Sequence, residues 1–124
     1  MAEKTAAIDG MTINYCEGPQ NGVPLVMLHG VTGRWQSFEQ LIPFMTPYYH
    51  VFAPDARGHG KSDHVPGRYA MEYMAADTAG FVKEVIGKPA AILGHSMGGR
   101  VALETAIRYP DQASALVVID SPLT

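Results

Sequence analysis

The sequence predicts an α/β fold, a mostly parallel sheet with helices on both faces, in a single domain over residues 1–124. Three observations lead there. A hairpin signal opens the chain, and short apolar runs then alternate with stretches of helical periodicity, the order that builds parallel strands joined by helices. Residues 25–28, 91–93 and 115–119 are continuous apolar runs, as strands buried on both faces require. Glycine-rich loops follow the strands directly, at the edge where open α/β sheets place their ligands.

Taken in order, residues 4–8 and 11–17 flank Asp9-Gly10, a hairpin turn in which both central residues need positive φ. Met11, Ile13 and Tyr15 alternate with Thr12, Asn14 and Cys16, the pattern of a half-buried strand. Gly18-Pro19-Gln20-Asn21-Gly22 is a loop. Residues 25–28 form a buried strand, and His29-Gly30-Val31-Thr32-Gly33 follows it. Gly30 and Gly33 free that backbone to turn amide groups into a site. Residues 35–44 read as a short helix or helical turn ended by Pro43 and Pro47. Residues 50–54 are the next strand, with a long glycine-rich loop over 55–63. Met71, Met74, Ala75, Thr78, Val82, Val85 and Ile86 recur at three- and four-residue spacing. That stripe is core packing on a helix that Gly87-Lys88-Pro89 ends. A strand over 91–93, a sharp turn and a helix running to Tyr109 and Pro110 come next. Residues 115–119 supply one more buried strand.

With 47% hydrophobic and 17% charged residues, 124 residues can bury one core and do not read as disordered. A net charge of −3 and a pI near 5.9 argue against nucleic acid or an anionic membrane surface as the main partner. The single cysteine, Cys16, has no internal disulfide partner and reads as a small core residue. No run approaches the roughly 20 apolar residues of a membrane span, and residues 1–5 carry no apolar signal core. A cytoplasmic protein is expected.

The chemical signal is Gly94-His95-Ser96-Met97-Gly98-Gly99. A G-x-S-x-G pattern arises by chance about 0.05 times in a chain of this composition. Here a strand precedes it and a helix follows, the setting in which the pattern is a nucleophile elbow. A Cβ at Gly94 or Gly98 would clash with the turn or the adjoining strand. The turn strains Ser96 and lifts it clear of the sheet, at a helix N-terminus whose dipole favours developing negative charge. The alternative is a glycine-rich turn with a capping serine. Gly60-Lys61-Ser62 matches the end of a phosphate-binding loop, but the glycine required five positions earlier is Asp55, and Asp63-His64-Val65-Pro66 opens no helix. Nucleotide binding is not expected.

Three segments in this order, His29-Gly30-Val31, Asp55-Ala56-Arg57-Gly58-His59-Gly60-Lys61-Ser62 and Gly94-His95-Ser96-Met97-Gly98-Gly99, resemble the α/β-hydrolase family, nearest its esterase, lactonase and carbon–carbon hydrolase branch. The resemblance runs from about Ile8 to Pro122. It implies an α/β-hydrolase-like core that holds the family's first six strands and is truncated after about the sixth. It implies Ser96 as nucleophile, with the backbone N–H groups of Met97 and Val31 as the oxyanion hole. His29, Gly30, Gly94, His95 and Gly98 would support loop and elbow, and Asp55 and Arg57 would brace the loop between them. A serine at the elbow points away from the epoxide hydrolase and dehalogenase branches, which place an aspartate there. The implied activity is cleavage of a carboxylic ester or related acyl bond of a small molecule through an acyl-serine intermediate. No cofactor and no metal is expected. Each oxyanion donor is typically worth a factor of roughly 10²–10³ in rate.

The family's triad runs Ser, then acid, then His in chain order, yet His29, His50, His59, His64 and His95 all precede Ser96. The usual base is not identifiable. His59 and His64 lie on a loop at the correct sheet edge and are stand-in candidates. Asp120, after the sixth strand, is the candidate acid; a strand-ending aspartate bonded to its own loop is the alternative reading. A serine without a base stays protonated, so the chain by itself is expected to be weak or inactive. The rival reading is a non-catalytic truncated half-domain. Residues 115–119 would then form an apolar sheet edge, a template for pairing with a second copy or a complementary C-terminal half.

Overall fold

Asp9 and Gly10 both take positive φ, 50° and 77°, so strand β1 (Ala2–Ile8) turns back on β2 (Met11–Glu17) in antiparallel register from Ala2↔Glu17 to Ile8↔Met11. These and the following statements describe residues 1–119 of a computed structural model. Strands β3 (Val23–Leu28), β4 (Tyr49–Pro54), β5 (Ala90–His95) and β6 (Ala113–Ile119) complete one six-stranded sheet of order β1-β2-β4-β3-β5-β6. The β4–β3, β3–β5 and β5–β6 pairings are parallel, and β2–β4 is antiparallel. The mostly parallel α/β fold is what the sequence predicts.

The continuous apolar runs are explained by two cores, one on each face. Val26, Leu28, Phe52 and Ile92 point to the face covered by helices α2 (Met71–Phe81) and α3 (Met97–Arg108), where Met74, Phe81, Val101 and Ala102 meet them. Leu25, Met27, Val51 and Leu93 point the other way, onto Phe38 and Ile42. Phe38 lies in a 3₁₀ turn over Trp35–Phe38, and Ile42 opens the short helix α1 (Ile42–Met45). Alternation within each strand sends neighbours to opposite faces, so both must be apolar. Cys16 is buried in the second core.

The structure corrects three local readings. Pro43 does not end a helix; it sits in the first turn of α1, where its missing N–H has no helical partner to lose. The 71–86 stripe is regular helix only to Phe81; residues Val82–Ile86 widen into a π turn, closed by Gly87 at φ 78°. The strand expected over 115–119 forms at a sheet edge, as the half-domain reading has it, but it is not buried on both faces: Leu116, Val117 and Ile119 are between 38% and 46% exposed. Among the described residues, β6 pairs only with β5.

Candidate active site

Because β3 and β5 are parallel neighbours with Leu28 paired to Gly94, the loops that leave them emerge side by side. The β5 loop is a single turn residue, Ser96, at φ 56° and ψ −118°. A non-glycine residue there costs about 1–3 kcal/mol, held by its surroundings. Two glycines do the holding. A Cβ on Gly94 would overlap the Gly98 carbonyl, and one on Gly98 would overlap the Leu28 carbonyl. The elbow therefore folds onto itself and onto the end of β3 at backbone distance. Ser96 N–H donates to Ile119 O at 3.1 Å, and Ser96 O accepts from Gly99 N–H at 2.9 Å. Met97 begins α3, in the turn whose N–H groups have no partner within the helix.

The β3 loop meets the serine through Gly30. A Cβ built there would lie 3.2 Å from Ser96 Cβ and 3.6 Å from Ser96 Oγ. His29 is 2% exposed and accepts the Ala56 N–H at Nε2, 3.0 Å away. Nδ1 must then carry the proton and donate to Gly30 O at 2.7 Å. Burial pushes the imidazole below its ordinary pKa, the Gly30 carbonyl opposing, so the ring is neutral and fully used as a loop prop. Gly33 N–H also donates to Gly30 O, at 3.0 Å, and Thr32 takes φ 63°. The loop is pinned by its own carbonyl.

The segment 55–63 braces both. The buried Asp55 carboxylate accepts Trp35 N–H at 2.7 Å, Asn14 Nδ2 at 2.9 Å and Lys61 N–H at 3.0 Å. Arg57 forks onto Asp77 of α2 at 2.6 and 2.7 Å and donates to Arg68 O. The paired carboxylate raises the Arg57 pKa and fixes its charge; burial pushes Asp77 up while Arg57 opposes it. Bidentate pairs of this kind set orientation as well as energy.

A cleft of about 630 Å³ opens over the elbow, lined by Val31, Phe38, Leu41, His95, Ser96 and Ile119, with Thr32, Ser37 and Gln40 as polar wall. It brings Ser96, Gly30, Val31 and His95 together. Met97 turns its side chain the other way, into a small cavity between α2 and the elbow shared with Arg57 and Asp77. His59 donates from Nδ1 to Arg57 O at 2.9 Å, since a carbonyl has no proton to give. Neither His59 nor His64 lines the cleft, and His50 pairs with Glu17 at 2.6 Å. Asp120 lies outside the described residues. Among the described residues no cluster of three metal-binding side chains occurs, and no helix is long and apolar enough to cross a membrane. The cleft wall at Phe38, Gln40 and Leu41 went unnoticed in the sequence; its one signal was the short helical segment after the His29-Gly30 loop.

A parallel sheet with a strained serine between strand and helix, beside a glycine loop from the neighbouring strand, defines the α/β-hydrolase class. The model of the family described as alpha/beta hydrolase fold matches residues 23–124, and the chain belongs to that family. It is 37% identical over 94 residues to the magnesium-chelatase 30 kDa subunit of Rhodobacter capsulatus, covering 75% of this chain and 33% of that one. It is 35% identical over 120 residues to the sn-1-specific diacylglycerol lipase ABHD11 of Danio rerio, covering 94% and 37%. The solved structure of E-2-(acetamidomethylene)succinate hydrolase superposes with a TM-score of 0.91 at 31% identity, over 96% of this chain and 44% of that one. The chain spans about a third of the length of the curated relatives it matches.

Proposed function

We propose that this chain carries the nucleophile and oxyanion half of a serine hydrolase site acting on a carboxylic ester or related acyl bond. The observation that carries the reading is the Ser96 geometry: a φ of 56° on a glycine-locked turn, with Gly30 against its side chain. Ser96 Oγ attacks the substrate carbonyl carbon and gives its proton to a base. The carbonyl π pair moves onto oxygen, where the Met97 and Val31 amides receive it. The tetrahedral intermediate collapses, the C–O bond to the alcohol breaks, and the alkoxide takes the proton back from the base. Water then cleaves the acyl-serine by the same route. In this reading the base is absent or supplied elsewhere: His29 is spent on its loop, His50 on Glu17 and His59 on Arg57, His64 does not line the cleft, and His95 borders Ser96 only as its chain neighbour. Asp120 is the acid that would orient it. Hydrolases among the relatives support the reaction class, and serine at the elbow supports acyl transfer over epoxide opening.

One observation favours a second reading, a non-catalytic half-domain that assembles through its sheet. Both faces of β6 are exposed, at Leu116 on one and Val117 and Ile119 on the other. Such an edge is a template for a further strand, from a second copy or from a complementary C-terminal half. Intact-mass analysis after incubation with a fluorophosphonate probe, beside Ser96→Ala, tests the first reading. Stoichiometric labelling of the wild type and not of Ser96→Ala is expected once a C-terminal half from a relative supplies the base, with weak labelling before that. A folded wild type that stays unlabelled, alone and after addition of a C-terminal half from a relative, would leave the second.

A further inference from the structure

The loop that borders Ser96 is pinned at two ends. His29 holds the first, as described above. The second is Trp35, and one of the two groups that hold Trp35 comes from the outermost strand of the sheet. Its backbone N–H goes to Asp55 Oδ1, and its indole N–H donates to Glu3 Oε2 at 2.9 Å. Glu3 lies on β1, the outermost strand, separated from β3 by β2 and β4. It can reach because Glu3 pairs with Cys16, and Cys16 faces the core against which Trp35 packs. Directly opposed residues of an antiparallel pair share a face.

The same Glu3 oxygen accepts Asn14 Nδ2 at 3.0 Å, and Asn14 in turn holds Asp55. The other oxygen accepts Lys61 Nζ at 2.8 Å. Lys61 first, then Trp35 and Asn14, hold the Glu3 carboxyl down to about 2, so it is ionised at any working pH. Both Trp35 anchors, backbone and indole, thus end on carboxylates that Asn14 bridges.

We infer that Glu3 is a positioning residue which, through the Trp35 indole N–H, sets the seating of residues 30–34 beside Ser96. The inference rests on the reading of that loop as an oxyanion donor. Glu3 does not line the cleft; it decides where the Val31 amide stands. Loss of a charge-assisted bond of this kind loosens what it anchors by about tenfold, and displacement of a donor by fractions of an ångström weakens transition-state binding.

Trp35 is the only tryptophan, so its indole N–H gives one cross-peak in a ¹H–¹⁵N spectrum of the full chain. Glu3→Ala is expected to move that peak upfield, shift the Gly30 and Val31 amides, and speed deuterium exchange at Gly33 and Trp35 about tenfold. Val26 and Ile92, in the sheet interior, should keep their protection. Trp35→Phe should give the same loop response, with no further change when Glu3→Ala is added. Glu3→Gln, whose amide oxygen still accepts, should restore most of it. Lys61→Met, which removes only the ion pair, should leave the loop unmoved. An indole peak that moves while the Gly30, Val31 and Gly33 amides stay put overturns the inference, as does an equal response from Lys61→Met. Should Glu3→Ala lose protection throughout the sheet, Glu3→Gln and Trp35→Phe decide in its place. Fluorophosphonate labelling run in parallel separates the two levels: a wild type that stays unlabelled even with a relative's C-terminal half added defeats the serine-hydrolase reading and leaves the loop result standing.

Discussion

Replacing Gly98 with alanine pits two effects of known size against each other. Gly98 is the second residue of α3, and alanine in a helix gains about 1 kcal/mol over glycine. Against this, the new Cβ would overlap the Leu28 carbonyl oxygen and stand 2.6 Å from both Leu28 C and His29 O. These are backbone atoms of a strand whose Leu28 is paired with Gly94, so they cannot step aside as a side chain can. Overpacking typically costs 1–3 kcal/mol; with rigid neighbours the upper end applies, near 3. The net loss is then about 2 kcal/mol, or roughly 8 °C in Tm for a chain of this length. Gly80→Ala is the matched control. It also lies in a helix, α2, but its Cβ would meet only the Ile8 Cγ2 methyl, at 2.8 Å. That methyl belongs to a side chain, which can give by a few tenths of an ångström where a backbone carbonyl cannot, so the net loss should be about 1 kcal/mol at most, half that of Gly98→Ala. Paired thermal and urea melts give the answer. Gly98→Ala as stable as the wild type, or Gly80→Ala equally damaged, would refute the argument that backbone contact fixes the elbow.

Two further outcomes follow from the same geometry. Ser96→Gly relieves the φ of 56° and should raise stability by about 1 kcal/mol while removing the nucleophile, which a shift of the urea midpoint checks. His29 is held below its ordinary value of 6.5 by burial, beside the His59 ring and the Asp55 carboxylate. The folded state therefore binds fewer protons than the unfolded one as pH falls through 6.5, and stability drops over that window. His29→Gln should flatten the stability profile between about pH 7 and 5, and urea melts with parallel slopes for both proteins would contradict this.

The parts of this protein that were legible early are those written in local order. Asp9-Gly10 announced a hairpin because positive φ is a property of two residues. The runs at 25–28 and 91–93 announced buried strands because a sheet covered on both faces leaves no polar position. Gly94 and Gly98 announced an elbow because their spacing places two Cβ-free positions around one serine. Pro43 misled because proline has two meanings, stopping a helix from inside and starting one from its first turn, and only the neighbouring backbone selects between them. The apolar run at 115–119 announced a strand and an apolar edge, but not its exposure, because hydrophobicity records what a strand is suited to meet; β6 meets β5 and, among the described residues, no other strand.

By itself, then, the sequence determined the class of fold, the strand-turn-helix around Ser96 and the family resemblance, since all three rest on short local patterns and on their order along the chain. Only the tertiary structure decided that Gly30 stands against Ser96, that His29 is consumed by Gly30 and Ala56, and that Glu3 on the outermost strand reaches Trp35. Those pairs join residues 27 to 66 positions apart, except for the adjacent His29 and Gly30, and no composition or period encodes them. They exist because parallel pairing sets β3 beside β5, and because the β1–β2 register turns Glu3 to the same face as Trp35.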